Sequence, residues 1–340
     1  MFHQVMEELL AGRDLPGEIM AQSVSALMEG AWSPVQQAAF LVALRAKGES
    51  AGELAAAAGV MRQFSLPVTA PALAVDTCGT GGDGVGTLNL STAAAILAAG
   101  LGVPVAKHGN RSVSSRCGSA DVLEALGWPL SLSPAAVERL LQEEGFAFLF
   151  APHFHPAMKA VAPVRRELGL RTLFNLLGPL ANPAGVRRQV VGVFSPRAQA
   201  VMAEAFALLG AEHVWVVHGQ DGLDELSPCA PTEVIEVRQG RVTARFSVVP
   251  EELGLPQVPR EALLGGDAAF NARRVQAILA GEEDAAAPAV ALAAAAALLV
   301  AGKTQDLRQA LGESWEGLRT GVGWRRFCRT LARAQELAHG

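Results

Sequence analysis

Between Val75 and Asp121, two glycine- and hydroxyl-rich segments flank one short apolar stretch, and this constrains the fold more than any other feature of the chain. The first segment holds Gly79, Thr80, Gly81, Gly82, Asp83, Gly84, Gly86, Thr87, Asn89, Ser91 and Thr92. The second holds Lys107, His108, Gly109, Asn110, Arg111, Ser112, Ser114, Ser115 and Ser119. Such material makes a poor core and a good anion cradle, because glycines let backbone N–H groups turn toward a phosphate and a helix N-terminus adds a favourable dipole. Residues 73–75 read as a short buried strand, 91–99 as a helix closed by Gly100, and 103–106 as a second strand. That is a βαβ unit with an unusually long polar first loop, and it points to an enzyme acting on a phosphorylated sugar.

Upstream, the first 66 residues read as entirely helical. Ser33 precedes Pro34 as an N-cap, and Ser50 and Glu53 have capping-box spacing. Residues 67–71, bounded by prolines, read as a linker. Downstream, strand candidates at 146–150, 189–194, 214–217 and 234–237 alternate with helical candidates at 134–144, 196–209, 271–280 and 288–301. Alternation of this kind predicts an α/β sheet flanked by helices. Residues 158–180 read as helical and can pack on either part. The alanine-rich segment 285–301 contains Pro288, and its helix would span roughly 20 Å, short of a ~30 Å bilayer core. It is expected to be a packed core helix.

A net charge of −5 and the absence of tyrosine argue against a nucleic-acid binder, which needs a basic face and stacking aromatics. The four cysteines form no Cys-x-x-Cys pair, so neither structural zinc nor a disulfide framework is expected. The N-terminus lacks the basic start and apolar run of a signal peptide, and the expected location is cytoplasmic.

Gly79, Gly81 and Gly84 satisfy the dinucleotide fingerprint by spacing, but the next strand ends in Lys107-His108 where that motif needs an acid. No Gly-Lys-Ser/Thr follows the glycines, so the Walker loop is absent as well. Asn89 and Ser91 could merely cap a helix, which would account for one of them and not for the whole cluster. Lys107 and Arg111 read as a second wall of the same phosphate site. Asp224 and Glu225, beyond the strand at 214–217, suit Mg²⁺, which takes one or two carboxylates and leaves phosphate and water to complete its octahedron. A solvated acidic turn is the alternative. Arg165 and Arg166 are either helix-surface charges or, for an arginine beside a cleft, a bidentate fork for a carboxylate.

Together these motifs resemble the anthranilate phosphoribosyltransferase family over essentially the whole chain. Gly79 to Asp83, Asn89 to Thr92, Lys107 to Ser112, the Arg165 segment and Asp224-Glu225 occur in the family's order. The resemblance implies a small all-helical domain that dimerises, joined by hinges to a larger domain with a central, mostly parallel sheet. The expected division is residues 1–66, completed by helices within 158–180, and residues 72–340. It further implies transfer of the phosphoribosyl group of 5-phosphoribosyl-1-pyrophosphate (PRPP) to the amine of anthranilate, in tryptophan biosynthesis. By the same resemblance PRPP meets Gly79, Gly82, Asp83, Thr87, Asn89, Leu90, Ser91, Thr92, Lys107, His108, Gly109, Asn110, Arg111, Ser112, Val113, Ser114, Ser115 and Ser119. Ser91, Asp224 and Glu225 would hold Mg²⁺, as two ions per subunit. Gly79, Asn110 and Arg165 would hold anthranilate, with His108, Pro152, His155 and Met158 lining its path. Ala293 stands where relatives tend to carry an asparagine. No acid–base or nucleophilic residue is expected, and the implied partners are the two substrates and a second copy of the chain, with no nucleic acid or membrane. A pyrimidine nucleoside phosphorylase, sharing the fold but not needing the metal pair, is the competing enzyme reading. A silent nucleic-acid-binding homologue is the competing reading of another class.

Overall fold

The computed structural model describes residues 1–82, 84–112 and 116–339. Asp83, Val113, Ser114 and Ser115, all expected at the phosphate site, lie outside the described residues. Four helices open the chain: α1 (Phe2–Leu10), α2 (Gly17–Met28), α3 (Pro34–Lys47) and α4 (Ala51–Gln63). The starts of α3 and α4 are set by reciprocal capping, Ser33 with Gln36 and Ser50 with Glu53, each pair satisfying two amides left orphaned at a helix end. Met20, Leu27, Phe40, Leu41, Leu44 and Leu54 close the bundle's core.

A seven-stranded sheet follows, with β1 (Val75–Asp76), α5 (Leu90–Gly100), β2 (Val105–Gly109), α6 (Ser119–Ala125), α7 (Pro134–Glu143) and β3 (Phe146–Phe150). The chain then makes α8 (Ala151–Phe154), α9 (Ala162–Leu168) and α10 (Leu173–Leu180) before β4 (Arg188–Gly192). Next come α11 (Pro196–Leu208), β5 (His213–Gly219), β6 (Thr232–Arg238) and β7 (Arg241–Val248). Four helices end the chain: α12 (Ala268–Ala280), α13 (Ala287–Ala301), α14 (Leu307–Thr320) and α15 (Val322–His339). The strand order is β3-β2-β1-β4-β5-β6-β7, parallel as far as β5 and antiparallel across β6 and β7. From β1 the chain moves outward to β2 and β3, then returns to the other side of β1 as β4. Loops leaving the carboxyl ends of β1 and β4 therefore diverge, and a crevice opens where ligands of open α/β sheets bind.

Two apolar clusters hold these layers. One packs α5 and α13 with the helices around them against one side of the sheet. Every residue of α13 is buried, as expected of a helix that is apolar all round, and no described helix is long and apolar enough to cross a membrane. The other cluster runs from the four-helix bundle through α10 and α11 to Val191, Val193, Val214 and Val216 of the sheet. The segment at 158–180 thus packs with the bundle, which is itself continuous with one side of the sheet.

Several sequence expectations shift. The first strand is only Val75–Asp76, because the Ala74 amide turns back onto the Pro71 carbonyl and leaves Leu73 53% exposed. The second begins and ends later than expected, so Lys107 and His108 lie inside β2 instead of after it. The sequence reading missed β7, although Val242, Ala244, Phe246 and Val248 alternate after a turn at Gln239-Gly240. It also gave no account of α6, α14 and α15.

Candidate active site

The loop leaving β1 begins by folding back on the end of β4. The Thr80 amide donates to the Gly192 carbonyl at 2.9 Å, and Gly79 sits so close that a Cβ there would lie 3.3 Å from that carbonyl oxygen and 3.7 Å from Asp224 Oδ2. Gly192 is tighter still, since its Cβ would strike the Asp224 carbonyl. Backbone contact therefore brings the glycine loop, the end of β4 and the acidic turn to one point, with no room for a side chain at Gly192 and little at Gly79. Sequence reasoning missed Gly192, although a glycine closing an apolar strand run is a recognisable sign of close backbone approach.

Further along, Gly82 has φ of +89°, a left-handed conformation that disfavours any side chain, and its carbonyl accepts from the Arg171 guanidinium. Arg171 also lies 4.5 Å over the Phe194 ring, so the loop is touched by a residue from the α9–α10 connection. Thr87 makes an isolated bridge to Leu264, which returns the loop to the start of α5. There Asn89 occupies the cap position without capping. Its side chain donates to the Cys117 carbonyl at 3.2 Å and accepts from Asn271 at 2.9 Å, tying the two glycine-rich segments together. The simple capping explanation of Asn89 fails on this geometry, and Asn271, 182 residues away, was not foreseen. Leu90 and Thr92 point into the core, while Ser91 is partly exposed in the first turn.

Lys107 and Arg111, read from the sequence as a second wall of the phosphate site, are both engaged by neighbouring groups of the protein. Lys107 is 1% exposed and donates to the Thr77 carbonyl and hydroxyl at 3.1 and 3.3 Å; that hydroxyl donates in turn to the Ser91 carbonyl at 2.9 Å. It supports the helix start from beneath. Arg111 is clamped by Asp121 and Glu124 of α6, at 2.9 and 2.7 Å. The Ser112 amide also bonds Asp121, and the Ser119 hydroxyl donates to the Asn110 carbonyl at 3.3 Å. Gly109 must be glycine because a Cβ would fall on Ser119 Oγ.

Asp221 shapes the acidic turn by accepting from Ser227 Oγ at 2.6 Å and from the Leu223 amide at 3.3 Å. Asp224 is buried beneath Gly79, with Glu225 next to it. No cluster of three or more His, Cys, Asp or Glu occurs among the described residues, so a cation here would draw on this pair, a hydroxyl and its own ligands. An oxygen-only donor set on a narrow, glycine-lined floor fits Mg²⁺. Nearby, burial raises the Cys78 thiol pKa, and the negative charges of Asp76, Asp224 and Glu225 add to the shift, so this cysteine is no nucleophile.

On the other wall, His108 and His155 face each other with ring centroids 5.1 Å apart. His108 Nδ1 lies 3.0 Å from the Gly178 carbonyl and must be its donor, which leaves Nε2 as an acceptor. The Nε2 atoms of both histidines are buried, with no hydrogen-bond partner within 3.5 Å among the described residues. Burial first, then His155 and Lys107, pushes His108 down to about 3, and burial pushes His155 down to about 4, so both are neutral. Nearby in sequence, Pro152 on α8 is exposed and Met158 in the short turn after it is partly buried. Arg165 on α9 is half-buried, with its guanidinium 5.1 Å over the Phe174 ring and no ion pair among the described residues. Burial lowers its pKa, whereas Arg166 beside it is exposed.

Residues 72–323 match the a/b domain of the glycosyl transferase family, and residues 3–65 match that family's helical bundle domain. The chain is 50% identical over 325 residues to anthranilate phosphoribosyltransferase of Roseiflexus castenholzii, covering 95% of this chain and 96% of that one. It superposes on the crystal structure of the Thermus thermophilus anthranilate phosphoribosyltransferase with TM-score 0.92 and 47% identity, covering 97% and 99% of the two chains. The Saccharomyces cerevisiae enzyme, solved in complex with PRPP and Mg and separately with 4-fluoroanthranilate, superposes with TM-scores of 0.90 and 0.89 at 26% and 25% identity, over 98% of each chain.

Proposed function

The chain belongs to the anthranilate phosphoribosyltransferase family, and on that premise we propose how its own residues carry out the family's reaction. It transfers the 5-phosphoribosyl group from PRPP to the amine of anthranilate, giving N-(5-phosphoribosyl)anthranilate and pyrophosphate in tryptophan biosynthesis. The amine lone pair forms the new bond to ribose C1 as the bond from C1 to pyrophosphate breaks, and the amine then releases one proton. An aromatic amine already has its lone pair at neutral pH, so the costly event is departure of pyrophosphate from a carbon with oxocarbenium character.

The observation that carries this reading is the meeting of the glycine loop with Asp224 at the carboxyl ends of β1 and β4. Its amides receive the pyrophosphate, and the start of α5, with Asn89 and Ser91 and braced by Lys107, receives the sugar phosphate. Asp224, Glu225 and Ser91 hold Mg²⁺, as two ions, which when bound offsets the charge developing on the leaving group. Arg165, unpaired among the described residues, gives a fork for the carboxylate of anthranilate. Asn110 orients the amine, and His108 and His155, with Pro152 and Met158, form a neutral wall that excludes water without taking up a proton.

We also propose a homodimer formed through the helical unit of residues 1–66 with α9 and α10, where Leu10 and Val35 are 76% and 79% exposed. Mixing protein with anthranilate, PRPP and Mg²⁺ should quench anthranilate fluorescence, and excess chelator should stop the loss. Quenching that persists in chelator, or none with metal present, would overturn the assignment.

A further inference from the structure

Residues 178–183, at the end of α10, are where the helical and sheet parts of the chain are fastened together. His108 on β2 holds the Gly178 carbonyl, Arg62 on α4 donates to the Leu180 carbonyl at 2.8 Å, and the linker amide of Val68 reaches the Pro183 carbonyl at 3.2 Å. The remaining fastening is a pair of buried side chains. Asn182 Nδ2 donates to Asp76 Oδ2 at 2.8 Å and to the Ala106 carbonyl at 2.9 Å, while its Oδ1 accepts from the Ala184 amide at 2.8 Å. Asp76 Oδ1 accepts from the His108 amide at 3.2 Å. Asn182 is 1% exposed and Asp76 is fully buried.

A buried carboxylate is an expensive way to hold a turn that apolar packing could hold. Its position supplies a reason. Asp76 is the last residue of β1, three positions before Gly79 of the phosphate loop. Asn182 follows α10, whose Phe174 lies under Arg165 of α9. The pair therefore links the two proposed half-sites; its one contact with a proposed site residue is through the His108 backbone amide, not through a side chain that would meet a substrate.

We propose that Asn182 is a positioning residue for the acceptor: bound to Asp76, it fixes α9 and α10 against the carboxyl end of β1, so that the Arg165 fork faces the phosphate loop at the spacing bond formation needs. This role rests on Arg165 being the anchor for anthranilate. A side chain that only stabilised the fold would affect both substrates alike. One that acts through Arg165 affects anthranilate alone.

The test is steady-state kinetics on full-length Asn182→Ala beside the parent, with PRPP binding measured by calorimetry. The Michaelis constant for anthranilate should rise about tenfold or more, the scale of a lost hydrogen bond to a charged group, while the PRPP constants stay within about twofold. In an Arg165→Ala background the same substitution should add little, because a residue that works through another is non-additive with it. Should Asn182→Ala not fold, Asn182→Ser is read in the same way, since its hydroxyl can still accept from the Ala184 amide but is too short to reach Asp76. Equal movement of both Michaelis constants, no movement of either, or full additivity with Arg165→Ala would each overturn the positioning role. A parent that does not consume anthranilate would overturn the functional reading and this role with it. Active parent enzyme beside any of those variant results overturns the positioning role alone.

Discussion

Around the ends of β1 and β4 the cleft is built from backbone, with Thr80 N on the Gly192 carbonyl and Gly79 pressed against Asp224. On the α9–α10 side it is built from side chains, with Arg165 over Phe174 and two neutral histidines whose Nε2 atoms have no partner among the described residues. The first half tolerates little change of side-chain volume at Gly192, Gly79 and Gly82, where a Cβ would strike or crowd a neighbour. The second tolerates volume but depends on charge and protonation, because its polar atoms are buried and not yet satisfied. A phosphate needs many fixed donors at close range, and glycine backbone supplies them cheaply. A planar acceptor with one carboxylate needs a single fork and a dry wall.

The largest expected effect falls on the backbone half. Replacing Asp224 and Glu225 together by alanine should lower kcat by about 10²–10³-fold or more while the melting temperature holds, since charge stabilisation of the leaving group is the dominant catalytic contribution. Near-parental turnover at limiting Mg²⁺ would remove the metal from this half. Next comes Arg165→Ala, which should raise the anthranilate Michaelis constant by tens- to several-hundred-fold, or about 2–4 kcal/mol, and leave that for PRPP nearly unchanged. Arg166→Ala, on the exposed side of α9, should do far less. If the two variants prove equally mild, the acceptor half lies elsewhere.

Gly82→Val should weaken PRPP binding about 10–100-fold, because it forces a β-branched residue into a left-handed conformation and against the Arg171 guanidinium. Unchanged calorimetric binding by the folded variant would make the loop a mere connector and erase the contrast between the halves.

The smallest effect is a pH dependence. Unfolded imidazoles take up protons as pH falls through about 6.5, whereas folded His108 and His155 stay neutral until about 3 and 4. Their contribution to stability is present above about 6.5 and is lost as pH falls through those folded values. Asp76 works in the opposite sense. Burial raises it to about 6 from 3.8 despite Lys107 and its hydrogen bonds, so its contribution is fullest at low pH and is lost as pH rises through 6. Between pH about 4.5 and 6, His155→Phe should therefore lower the slope of unfolding free energy against pH by about 1.4 kcal/mol per unit. An unchanged slope in denaturant titrations would mean that His155 is not held neutral by the fold.

The glycine loop and acidic turn proposed for phosphate and metal were legible as motifs in the sequence because their signal is local. Gly79, Gly82, Ser91 and the Asp224-Glu225 pair announce themselves by residue type and spacing, and the α/β alternation announces the sheet. The proposed acceptor half was suggested only by family resemblance, since an arginine on a helix looks the same whether it faces a cleft or water. Sequence patterns set Lys107 after a strand end, whereas it lies buried inside β2, and gave no sign of the partners of Arg111 on α6, ten and thirteen positions away. The link between Asn89 and Asn271, and the latch between Asp76 and Asn182, left no trace that periodicity could read.

By itself the sequence determined the alternation of strands and helices around β1 to β5, the capped starts of α3 and α4, and the glycine positions where backbone can approach closely. These properties depend on residues a few positions apart, whose interactions survive whatever the rest of the chain does. Tertiary structure alone decided which arginine keeps its charge available, which histidines lose theirs, and how Gly192 and Asp224 come into contact. Burial and long-range pairing set those outcomes, and both depend on segments that become neighbours only when the sheet order β3-β2-β1-β4-β5 brings strand ends from distant parts of the chain together.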